Sequence, residues 1–146
     1  MDAKERKEIE QECRDLVIAL TQHGDHREAE KAVALFAEDG TWLRGGKPYR
    51  GHAELLESYK RGSQTQVIRH MNGGTLVTVK DDTHAESVTY YIALHQDPRT
   101  AEVKFPLPFD PPFSMGEWHD KFVKTSKGWR FASRETKRLF ERQGGH

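Results

Sequence analysis

The chain of 146 residues has a single cysteine, Cys13. No intramolecular disulfide can form, which fits a reducing compartment. No apolar run approaches the ~18 residues of a membrane span. Neither sign of charge dominates, with 23 Lys and Arg against 23 Asp and Glu. No stretch holds a sustained basic excess, so nothing points to a nucleic acid as partner. Small clusters such as Lys137-Arg138 are offset by nearby acids and read as solvated faces. The opening Met1–Arg6 leads into a charged helix and lacks a signal-peptide core. The expected location is the cytoplasm, with no membrane contact.

Ligand and nucleotide motifs are missing too. The eight histidines include no H-E-x-x-H, and the chain has neither a C-x-x-C nor a compact His/carboxylate cluster. His119 and Asp120 are neighbours in a predicted strand, so they point to opposite faces. The glycine pairs Gly45-Gly46, Gly73-Gly74 and Gly144-Gly145 continue into no phosphate-binding loop, and there is no G-x-S-x-G elbow. The expectation is therefore no metal and no cofactor.

What is present is an ordered change of period, read as one domain over 1–146. Ile9, Cys13, Leu16, Val17 and Leu20 mark one face of a first helix from about Lys4 to His23, stopped at Gly24. Cys13 sits on that stripe and reads as core. Asp25 and Glu28 have the spacing of a cap and its capping-box partner for a second helix, which ends near Asp39-Gly40. A strand at Thr41–Arg44 and a short return precede a third helix, His52–Arg61, with Leu55, Leu56 and Tyr59 on its apolar side. From Gln66 on the chain is largely β. The strands are Gln66–Asn72, Thr75–Lys80, Thr83–His95, Ser114–Thr125 and Trp129–Leu139, with a polar tail over Phe140–His146. Five of the six prolines fall in Gln96–Phe113, which reads as a loop. Helices first and then antiparallel strands give an α+β class, with three helices on one face of a curved sheet and a pocket between.

One residue stands out chemically. His70 lies mid-strand in Gln66–Asn72, either as a satisfied core histidine or as a base in a pocket. Neutral imidazole accepts a proton near neutral pH, and a carboxylate on its other nitrogen fixes the tautomer. Spacing alone does not pair His70 with Asp25, which by itself reads as a helix cap.

Four stretches in order carry a resemblance. They are Leu35–Trp42 behind Asp25, Tyr49–Leu55, Ile68–Asn72, and Gly116–Phe122 with Gly128–Phe131. Together they resemble the SnoaL-like branch of the nuclear transport factor 2-like superfamily, over about Ile9–Leu139. The resemblance implies a cone of curved sheet and three helices around a hydrophobic pocket. Its layout is similar to scytalone dehydratases and hexachlorocyclohexane dehydrochlorinases, which use a His–Asp dyad. The family's aspartate ends the first helix, 17 positions before a strand tryptophan; Asp25 and Trp42 match it, and His70 matches the histidine. No counterpart is evident for the tyrosines that position substrate in scytalone dehydratases.

The implied function is a cofactor-free lyase or isomerase that takes a proton from a small apolar or aromatic molecule. Alternatives are a non-catalytic carrier, an assembly protein like the small subunit of ring dioxygenases, and a polyketide-type cyclase. Trp42 and Trp118 are core or pocket lining. Asn72 shares His70's face and holds a substrate oxygen or a turn. His119 is an acid or a surface histidine. Arg69 and Arg134 bind an anion or pair on the outer sheet face. Lys104–Phe113 forms a lid, through Phe105, Leu107, Phe109 and Phe113, or a packed surface loop. Trp118, Phe122 and Trp129 on an outer sheet face predict self-association, and the resemblance implies a homodimer or homotrimer.

Overall fold

The computed structural model describes residues 1–108 and 113–142. Its elements are α1 (Ala3–Asp25), α2 (Ala29–Val33), β1 (Phe36–Arg44), β2 (Lys47–Arg50), α3 (Gly51–Lys60), β3 (Val67–Val79), β4 (His84–Gln96), β5 (Ser114–Thr125) and β6 (Gly128–Glu141). The class is α+β, as the sequence predicts. The strands form one open six-stranded sheet in the order β2-β1-β6-β5-β4-β3. It is mixed rather than purely antiparallel, because β1 pairs parallel to β6. The chain leaves β1 for the far edge of the sheet and returns by hairpins until β6 meets β1 from its other side.

The first helix forms on its stripe. Cys13, Val17, Leu20 and Thr21 are buried, and α1 packs on β3, β4 and β6. Its capping box is Asp2 with Glu5, and the Asp25–Glu28 capping box expected for the second helix does not form. Asp25 is the last residue of α1, and no side chain caps α2. The second helix stops at Val33, well before Asp39-Gly40. Phe36 pairs with Phe131 of β6, and the Phe131 N–H donates to the Leu35 carbonyl. Burying Phe36 against Phe131, at 5.3 Å between ring centres, outweighs the local helical pattern.

Two bulges decide which residues face the helices. On β3, three steps from Asn72 to Thr75 oppose two on β4 from Tyr91 to Thr89. The extra residue falls at Gly73-Gly74 and reverses the alternation. Ile68 and His70 face inward before it; Val77 and Val79 are buried after it. On β6, Ser133 and Phe131 oppose the adjacent residues Lys121 and Phe122. That extra residue turns the inward set from Trp129 and Phe131 to Arg134, Thr136 and Arg138.

Several outer-face readings are corrected by this register. Trp118, Phe122 and Trp129 are 4 %, 1 % and 3 % exposed. They are inward core residues, and the aromatic argument for self-association does not hold. In the proline-rich loop, Phe113 is buried and Phe105 is exposed. Phe109 lies outside the described residues. Leu107 is half-buried, and Gln96 Nε2 donates to the Pro108 carbonyl at 3.3 Å. The tail is strand as far as Glu141, and 143–146 lie outside the described residues. No helix among the described residues is long and apolar enough to cross a membrane.

Candidate active site

The end of α1 and the first half of β3 bring Asp25 and His70 together across 45 residues of chain. His70 Nδ1 lies 2.6 Å from Asp25 Oδ1. The backbone N–H of His70 donates to Asp25 Oδ2 at 2.7 Å. A carboxylate only accepts, so Nδ1 carries a ring proton, and in the neutral imidazole Nε2 is the atom that holds the lone pair. Asp25 is 8 % exposed. Its charge lies out of water and is balanced by two N–H donors, the arrangement that a buried carboxylate requires. Asn72 fastens the same strand to α1 by donating to Thr21 Oγ1 at 3.0 Å.

Beside the imidazole are two aromatic rings. Tyr91 and Trp118 stack with centres 4.6 Å apart, and His70 meets them at 5.7 and 5.3 Å. Strand pairing sets this group: Asn72 opposes Tyr91 on β4, and Gly116 of β5 opposes Tyr91 on its other side. Gly116 has no side chain because none fits. A Cβ there would meet the Lys137 carbonyl at 2.3 Å and the Tyr91 hydroxyl at 2.8 Å.

The dyad opens into a cavity of about 470 Å³ between sheet and helices, a size suited to small ligands. Trp42 and Trp118 line it, as do Asp25, His70, Tyr59 and Tyr91. Both tryptophans are also core, at 8 % and 4 % exposure. Trp42 is fixed by its Nε1–H donating to Thr136 Oγ1 at 2.8 Å. Burial pushes the Tyr59 hydroxyl above the ordinary phenol range.

Arg134 is the largest departure from the sequence reading. It lines the cavity instead of pairing on the outer face. Its Nε and Nη2 donate to the two Asp120 oxygens at 2.7 and 2.9 Å. Its guanidinium lies 4.2 Å from the Trp118 ring centre. Both partners are 2 % exposed. Burial pushes the Asp120 carboxyl up, against the pull of Arg134.

Two candidates fall outside the cavity. Asn72 serves the β3–α1 contact. His119 lies opposite Trp118 and Asp120 in alternation and bonds Glu117 Oε1 through Nε2 at 2.8 Å. Arg69 is not among the lining residues; its Nη1 donates to the Ile68 carbonyl at 2.7 Å and to the Asp25 carbonyl at 3.4 Å. Cys13 is in the core, where burial pushes its thiol up to about 12. No group of three or more His, Cys, Asp or Glu among the described residues could hold a metal ion. Sequence reading missed Tyr91 and Arg44 as lining residues and gave Tyr59 only a packing role. Period-two alternation from His70 could have suggested such a face, but only the register assigns its neighbours.

A family model for the SnoaL-like domain matches residues 5–135. No curated protein matches the chain significantly. Among solved structures, a hexachlorocyclohexane dehydrochlorinase from Novosphingobium barchaimii superimposes with a TM-score of 0.79 at 10% identity, covering 97% of this chain and 93% of the other. A candidate scytalone dehydratase from Novosphingobium aromaticivorans gives 0.76 at 18%, covering 95% and 89%. An NTF2-like protein with a cystatin-like fold from the same organism gives 0.75 at 21%, covering 93% and 85%. At these identities the structural likeness speaks for the fold alone. With the family model spanning nearly all of it, and the helices and sheet arranged as in these structures, the chain belongs to the SnoaL-like family.

Proposed function

We propose that the protein is a cofactor-free lyase or isomerase in which His70 is the base. Nε2 takes a proton from a carbon acidified by a neighbouring carbonyl or aromatic ring. The electron pair left on that carbon then expels a hydroxide or halide, or shifts a double bond. Asp25 holds the ring and stabilises the imidazolium that forms. Tyr91 and Trp118 keep water from the dyad and offer a flat wall for an unsaturated substrate. Arg134, immobilised by Asp120, faces the cavity where negative charge develops on the oxygen or leaving group.

The observation that carries this reading is the free Nε2 of a carboxylate-held histidine opening into a cavity. A carrier or a filled assembly subunit has no use for that arrangement. Membership of the SnoaL-like family supports it, as do the described activities of the dehydratase-like and dehydrochlorinase neighbours.

The test is a panel of β-hydroxy ketones and vicinal halides followed for elimination. The wild type should accelerate at least one. His70→Ala should lower that rate by about 10²–10⁴-fold, the usual share of a general base, with its circular dichroism unchanged. Undiminished turnover in the variant would overturn the proposal.

A further inference from the structure

We propose that the substrate of this cavity bears an anionic group, in the simplest case a carboxylate, which Arg44 receives at the mouth. The proposal rests on the cavity being the substrate site and narrows the class of molecule it takes.

Strand alternation puts Arg44 on the same face of β1 as Trp42. Its guanidinium folds back over the Trp42 ring, 5.1 Å from the centre. Nη1 donates to the buried Ser58 Oγ at 3.3 Å. An exposed arginine with no task extends into water. This one is directed along the cavity wall by a ring and a hydroxyl.

Charge accounting sets it apart from most of its neighbours; Arg27, the other lining arginine with no carboxylate partner among the described residues, donates to the Gln66 carbonyl at 2.7 Å. Arg61 pairs with Glu57 at 2.9 Å, Arg138 with Glu141 at 3.1 Å, and Arg134 with Asp120. Among the described residues Arg44 has no carboxylate partner. Asp25 is the only acid among the described residues lining the cavity, and His70 occupies it. The cavity thus presents two cations without a paired acid among the described residues, Arg44 over the Trp42 ring and Arg27 on the Gln66 carbonyl, and no free anion. A neutral apolar ligand gains nothing from that. A carboxylate gains charge-assisted hydrogen bonds from the guanidinium fork.

The layout also orients the molecule. The wall from Arg44 to the dyad runs over Trp42, past Arg134, 5.8 Å from that ring, and over Trp118 to His70. A flat body along these rings places its anionic end at Arg44 and its other end at Nε2. The Gly45-Gly46 turn next to Arg44 also lines the cavity and borders open space. Both residues have positive φ, and a Cβ on either would meet nothing within 4 Å.

Binding by calorimetry tests this with benzoate and phenylacetate against their neutral amides, benzamide and phenylacetamide. The wild type should prefer the carboxylates by about tenfold or more, the worth of a hydrogen bond to a charged group. Arg44→Gln should abolish that preference and leave amide binding unchanged. Arg44→Lys should restore part of it, and His70→Ala should retain it. Equal binding of acids and amides, full preference in Arg44→Gln, or no carboxylate binding at millimolar concentration would each overturn the proposal. The dyad is judged separately, by turnover in His70→Ala. Either idea can therefore fail while the other stands.

Discussion

Asp25 grips His70 at two atoms, accepting from the ring at Nδ1 and from the backbone N–H of the same residue. One carboxylate thereby fixes both the tautomer of the imidazole and the position of the strand that carries it. An amide cannot do the same, because one of its two ends is a donor facing a donor.

Asp25→Asn is therefore expected to lose about 10²-fold or more in turnover. It should also cost about 1–3 kcal/mol of stability, since one buried N–H loses its acceptor. Nitrogen NMR of the His70 ring gives a readout that needs no substrate. The wild type should show the Nδ1–H tautomer, and the variant should show a mixture. An unchanged ring spectrum in Asp25→Asn would contradict the two-point grip.

The Asp120–Arg134 pair should respond asymmetrically to truncation. Asp120→Ala leaves a guanidinium buried without a counter-charge and is expected to cost about 3–5 kcal/mol. Replacing both residues, as in Asp120→Ala with Arg134→Met, should recover much of that loss. Thermal or urea unfolding of the single and double variants decides it. A double variant as unstable as the single one would mean that the pair itself, and not the orphaned charge, matters.

Gly116→Ala probes the wall behind the imidazole. The new methyl collides with the Lys137 carbonyl and the Tyr91 ring, an overpacking expected to cost about 1–3 kcal/mol. Tyr91 must shift from its stack on Trp118, so ligand binding should weaken along with the melting temperature. Unchanged values for both would show that the strands have room to part.

Acid sensitivity should be visible at the turn between β3 and β4. The Asp81 carboxylate accepts from the Thr83 N–H at 2.8 Å and from its hydroxyl. These bonds lower its pKa from 3.8 to about 2. A depressed acid contributes stability above its unfolded pKa and loses it as pH falls through the folded one. The stability difference between wild type and Asp81→Ala should shrink as pH falls from about 4 to about 2. A difference that persists undiminished to pH 2 would refute the assignment.

Much of the fold was legible in the sequence for local reasons. The α1 stripe needs only the helical repeat. The third helix needs an apolar side over ten residues, and β5 needs alternation between a proline-rich loop and a Ser-Lys-Gly turn. The second helix was overread because Phe36 obeys its partner Phe131, more than ninety positions away, rather than its neighbours. The pairing of Asp25 with His70 came from resemblance, since no periodicity links the end of a helix to a strand 45 residues on.

The sequence by itself determined the helical stripes, the β-rich second half, and a histidine and an aspartate available for chemistry. Only the tertiary structure decided that Arg134 faces inward and His119 outward. Only it showed that Tyr91 and Trp118 wall the imidazole, and that Arg44 stands over Trp42 without an acid. The physical reason lies in the bulges and the register. An extra residue in β3 and another in β6 invert the side chains that follow, in β6 as far as the next register shift after Arg138, and their positions follow from how neighbouring strands pack rather than from any local preference of the chain.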